Sequence, residues 1–115
     1  MNEFADFVRE QMADFEPVAI RGMFGGHGVF RDGLMFALII DDALYFKADG
    51  ETREKFEARG LEPFRYIQRG NTVSFNYFAA PEEVFDSTDA MVEWAKLAWG
   101  AALRVANGNS PAKTD

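Results

Sequence analysis

The chain has 115 residues, enough for one domain and too few for two. A composition that is 48% hydrophobic and 15% aromatic, with Phe at 12 positions, excludes disorder for the body of the chain. The net charge of −7 opposes unaided binding to a phosphate backbone, and the lack of Cys with a single His excludes disulfides, thiolate metal sites, Cys nucleophiles and paired-His centres.

Asn2 stands at an N-cap position, and Phe4, Phe7, Val8, Met12 and Phe15 then recur at helical spacing. The spacing predicts an amphipathic helix that Pro17 ends. Strands are predicted over 18–24 and 28–31, separated by Gly25 and Gly26. Asp32-Gly33 signals a hairpin, since both residues tolerate positive φ. Residues 34–40 are apolar on both faces, Leu34, Phe36, Leu38 and Ile40 on one and Met35, Ala37 and Ile39 on the other. A strand covered on both sides is expected to be central.

Asp41-Asp42 turns the chain into a strand over 43–48. Asp49 caps a charged helix that runs to Arg59, with Phe56 and Ala58 as core contacts and Gly60 at the C′ position. Residues 64–68 and 72–78 form a second hairpin around Arg69-Gly70-Asn71. Pro81 opens a helical turn. Ser87 or Thr88 then caps a last helix with Met91, Trp94, Ala95, Ala98, Ala102 and Val105 as its apolar stripe, widened by Leu97, Trp99 and Leu103. The order α-β-β-β-β-α-β-β-α implies an α+β fold, an antiparallel sheet flanked by helices. One domain spans 1–106, and the small polar residues 107–115 read as a flexible tail.

Gly22, Gly25, Gly26 and Gly28 surround His27, but a strand follows them where a phosphate-binding loop needs a helix N-terminus. The glycines are therefore expected to serve a kinked or bulged strand pair. His27 has no second imidazole, and its nearest acid in sequence, Asp32, lies across a turn, so no metal site is expected. Glu82, Glu83, Asp86, Asp89 and Glu93 hold five carboxylates without a base, which helix N-termini explain through the dipole. Arg21, Arg31, Arg65 and Arg69 fall on or beside predicted strands, where two or more can share a sheet face and receive an anion or an acidic partner. Tyr45, Tyr66, Tyr77 and Phe78 exceed what one small core needs, which points to a self-association surface. The N-terminus carries acids where a secretory signal carries bases, and the longest apolar run is far shorter than the ~20 residues that span a bilayer. A cytoplasmic protein is expected.

Several of these segments occur together in one known family. Residues 21–30, with Met23, Phe24, Gly25, Gly26, Gly28, Val29 and Phe30, resemble the opening "MFGG-x-G-hydrophobic-aromatic" signature of the TfoX/Sxy regulators of natural competence. Gly33, Met35, Phe36 and Ala37 resemble its "G-x-MFA" strand, and Leu44, Tyr45 and Lys47 its "LY-x-K" strand. Gly60, Pro63, Phe64, Tyr66, Asn76, Tyr77, Phe78, Ala80, Pro81, Glu82 and Trp94 continue in the family's order, so the resemblance covers roughly residues 5–104.

The resemblance implies a small α+β domain of the secretion-chaperone type, often a dimer. It also implies promoter co-activation together with the cyclic-AMP receptor protein, with no catalytic residue in the N-terminal domain. The full regulators carry a second, helical domain, and the resemblance implies the first of the two over these residues.

The expected function is a non-enzymatic protein-interaction module, regulatory in role, that self-associates through a sheet face or edge and meets a regulatory protein. No cofactor, metal, membrane or direct nucleic-acid partner is expected. The alternatives are a DNA-contacting regulator using Arg21, Arg31, Arg65 and Arg69, and a small-anion or metabolite binder near Arg21, His27 and the glycine-rich segment.

Overall fold

Tight turns of fixed handedness set the topology. Asp32 and Gly33, Asp41 and Asp42, and Arg69 and Gly70 all have positive φ, and each pair joins two strands through a two-residue loop. The computed structural model describes residues 3–23 and 25–108, except the side chains of 66–68 and 71–75. The N-cap assigned to Asn2, the position of Phe24, the side chain of Tyr66 and most of the expected tail lie outside the described residues. The described elements are α1 (Glu3–Gln11), β1 (Ala19–Met23), β2 (Gly26–Arg31), β3 (Leu34–Ile40), β4 (Ala43–Lys47), α2 (Arg53–Ala58), β5 (Pro63–Gln68), β6 (Asn71–Ala79) and α3 (Thr88–Ala106). Short 3₁₀ turns at Ala13–Phe15 and Glu82–Phe85 join them. The fold is α+β as expected, with six antiparallel strands in the order β1-β2-β3-β4-β6-β5.

All three helices and both 3₁₀ turns send buried side chains into one cluster with Val29, Ala37, Ile39, Leu44, Phe46 and Phe78 of the sheet. Register puts these strand residues on one face: Ile20, Val29, Ala37, Phe46 and Phe78 form one row of neighbours. β3 is internal, as expected, but its side chains divide differently. Val29 faces Ala37 and Phe30 faces Met35, so Phe36 has no partner across the ladder. That bulge turns Phe36 to the helix side, where its ring meets Phe15 at 5.5 Å and Trp99 at 6.0 Å.

The helix ends also depart from the expected pattern. α1 stops at Gln11, and Met12 and Phe15 reach the core through the 3₁₀ turn instead. Phe7, Leu103 and Val105 are exposed, and so is Ala58. α2 closes as its sequence dictates. Gly60 takes positive φ, its N–H bonds the Glu57 carbonyl at 3.0 Å, and the Leu61 N–H bonds that of Phe56 at 3.1 Å. Ser87 is the cap of α3, its hydroxyl accepting the Ala90 N–H at 3.1 Å. Asp49 caps the turn into α2 through the Thr52 N–H and in addition receives the fork of Arg104, Nε at 2.6 Å and Nη2 at 3.2 Å. No helix among the described residues is long and apolar enough to cross a membrane.

Candidate functional site, the uncovered face of the sheet

With the helices on one side, the opposite face of the sheet has, among the described residues, only its own side chains. Register again defines a row: Arg21 faces Gly28, Gly28 faces Leu38, Leu38 faces Tyr45, and Tyr45 faces Ala79. Beside it run Phe30 with Met35, Ile40 with Ala43, and Lys47 with Tyr77. Leu38 is 3% exposed and Tyr77 7%, yet neither belongs to the core cluster. Large neighbours screen them in place of a helix. A β-carbon at Gly28 would stand 2.7–2.8 Å from Met23 Sδ, Met35 Sδ and Phe30 Cε1, so these three fold over the glycine. Tyr45 and Phe64 meet edge to face at 5.1 Å.

Charge on this face has one sign. None of the six strands contains Asp or Glu; among the described residues all the acids lie in helices, turns and loops. Arg21 lies over the Phe30 ring at 5.1 Å, and Lys47 over Tyr77 at 5.0 Å. Neither forms an ion pair among the described residues, whereas Arg53, Arg59, Arg65 and Arg104 all do. Burial pushes the Lys47 amine below its ordinary pKa, and the nearby Asp49 only partly offsets this. Burial also pushes the Tyr77 hydroxyl up to about 12. A desolvated amine and a phenol held neutral beside it suit a site that a partner completes, since a carboxylate brought to Lys47 would offset the desolvation that lowers its pKa.

The residues expected from sequence do not converge. Arg21 belongs to this face, on the edge strand β1. Arg31 stands on the helix side, its guanidinium over Phe15 at 4.4 Å and Trp99 at 5.5 Å. Arg65 lies on the opposite edge strand, paired with Glu62 at 3.2 Å, and Arg69 occupies the turn beyond it. The four arginines do not form one patch. His27 faces Ile39 on the helix side with Nδ1 buried and, among the described residues, without a hydrogen-bond partner.

Of the motif glycines, Gly25 and Gly33 take positive φ. Gly26 lies within β2 and is required by its close approach to the Ile39 carbonyl. Among the described residues no group of three or more His, Asp or Glu is arranged to hold a metal ion. Lys47 is the residue that a search among arginines passes over. Its signal in the sequence is an apolar strand set with cations and no acids.

The ordered motif set of 21–82 is thus laid out along hairpins of one sheet, and comparison with known proteins agrees with it. The model of the TfoX N-terminal domain matches residues 10–102. The chain belongs to the TfoX N-terminal domain family. Among curated proteins, the chain is similar to the DNA transformation protein TfoX1 of Aliivibrio fischeri (strain ATCC 700601 / ES114). The two are 39% identical over 62 residues, covering 54% of this chain and 30% of that protein. It is also similar to Protein Sxy of Escherichia coli (strain K12), 24% identical over 96 residues, covering 84% of this chain and 46% of Sxy. The chain spans less than half the length of each curated relative it matches. In this TfoX N-terminal domain, the family's glycines and aromatic residues mainly build the β1–β2–β3 sheet and its uncovered face.

Proposed function

We propose that this chain is a regulatory protein-interaction module, acting in the cytoplasm in competence-type regulation, that pairs with a second copy through the uncovered face of its sheet. The similarity to a DNA transformation protein supports the regulatory part of this reading. The single observation that carries the mode of action is the uncovered face itself. It holds Met23, Phe30, Met35, Leu38, Ile40 and Tyr45 with no helix over them. Such faces in small domains close against a partner surface of about 800 Å². The role needs no reacting group, only this surface. The net charge of −7 and the separation of the arginines work against direct contact with DNA.

Light scattering tests the pairing. The protein is expected to run as a dimer at high micromolar concentration, and Ile40→Asp is expected to make it monomeric with little change in melting temperature. A wild-type protein that stays monomeric at that concentration overturns the pairing.

A further inference from the structure

The cations that do share a surface lie on the other side of the molecule. α2 and α3 flank an open groove of about 510 Å³. Lys55 lines it from α2, Arg59 from the C-cap just beyond α2 and Lys96 from α3, with Ala58, Trp94 and Leu97 as its apolar part. Three positive groups around an indole are out of keeping with a chain of net charge −7. Lys55 and Lys96 form no ion pair among the described residues. Arg59 lies over the Trp94 ring at 5.7 Å and already holds a carboxylate, its Nη2 meeting Glu83 Oε1 at 2.7 Å. That contact raises the Arg59 pKa through the hydrogen bond and lowers that of Glu83 by the same bond. The protein itself thus seats a carboxylate on Arg59, one of the residues that line this groove.

We propose that the groove between α2 and α3 docks an acidic segment of a partner protein, whose carboxylates meet Lys55 and Lys96 while one apolar side chain rests on Trp94 and Leu97. The open shape favours an extended peptide, because a small metabolite needs walls that enclose most of its surface. Charge complementarity selects acid, and the apolar strip between the cations selects a segment that interleaves acidic and apolar residues. Glu93 also lines the groove and opposes such a ligand. The groove lies on the helix side, so pairing through the sheet face leaves it open, and the two surfaces are independent.

A labelled synthetic peptide of alternating glutamate and leucine, with a lysine-and-leucine twin as control, is the probe. Binding is measured by fluorescence anisotropy at low salt and mapped by amide chemical shifts. The acidic peptide is expected to bind, to shift the amides of Lys55, Arg59, Lys96 and Leu97, and to weaken as salt is raised. Lys55→Glu and Lys96→Glu are each expected to weaken it about fivefold to tenfold, and Glu93→Gln to tighten it about twofold. All three are surface substitutions, and matched melting temperatures show that each variant is folded.

The proposal is overturned if the acidic peptide does not bind, if its shifts fall on the sheet face, or if the charge variants leave its affinity unchanged. Stronger binding of inorganic phosphate or a short DNA duplex to the same amides also overturns it. Light scattering on Lys55→Glu reports separately on pairing, which this substitution is expected to leave intact.

Discussion

At the residue scale, two adjacent glycines serve different physical needs. Gly25 takes φ +77° and has open space where a β-carbon would stand, so its requirement is conformational. Gly26 has no such φ, but a β-carbon there would be driven into the Ile39 carbonyl oxygen and within 2.9 Å of Ile40 Cγ1. Backbone in the middle of a sheet cannot give way without breaking the β2–β3 ladder. Gly26→Ala is therefore expected to cost about 3 kcal/mol and Gly25→Ala about 1 kcal/mol. Urea unfolding of the two variants checks the order. A larger loss for Gly25→Ala would mean that the turn, and not the close approach to β3, fixes this segment.

At the element scale, what sequence predicts well is what local chemistry decides. The turn at Asp32-Gly33, the Gly60 closure of α2 and the Ser87 cap each depend on residues within a few positions of one another. The division of β3 between two faces depends on a bulge against β2, and strict alternation misplaces Phe36 for that reason. The proposed surfaces are legible in the sequence only in part. Of the aromatic residues expected at a surface, Tyr45 and Tyr77 belong to the uncovered face but Phe78 is buried in the helix-side core, and the groove between α2 and α3 forms only when two helices far apart in sequence pack together. The same limit hides the Asp49–Arg104 pair, whose partners are 55 residues apart. Asp49 is 1% exposed and accepts two N–H groups of Arg104 as well as the N–H groups of Glu51 and Thr52. It thereby ties the end of α3 to the β4–α2 connection. Arg104→Ala takes the two-donor fork away from that buried carboxylate and is expected to cost about 2 kcal/mol, the partial exposure of Arg104 keeping the loss below that of a fully buried pair. Arg104→Lys is expected to recover less than half, because an ammonium cannot reproduce the fork. Equal stability of wild type and Arg104→Ala in urea would show that the pair does not hold α3 in place.

At the scale of the whole molecule, charge is sorted by layer, with every described acid outside the strands and both ring-stacked cations of the uncovered face inside them. This sorting makes alkaline stability a property of that face. Lys47 titrates below its unfolded value, so the folded state binds its proton less well, and stability rises as pH passes upward through the folded pKa. Tyr77 acts in the opposite sense. Its folded pKa is about 12 against 10.0 for the free group, so its contribution is complete below pH 10 and is lost as pH rises from there towards 12. By about pH 11 the loss amounts to about 1.4 kcal/mol. Tyr77→Phe removes the ionising hydroxyl while keeping the ring under Lys47. Relative to wild type, this variant is expected to gain that amount between about pH 8 and pH 11 in paired urea titrations. The pairing of variant with wild type cancels every other titrating group, including the remaining tyrosines. If the two proteins lose stability in parallel over this interval, the Tyr77 hydroxyl is in contact with water and the face is more open than its packing implies.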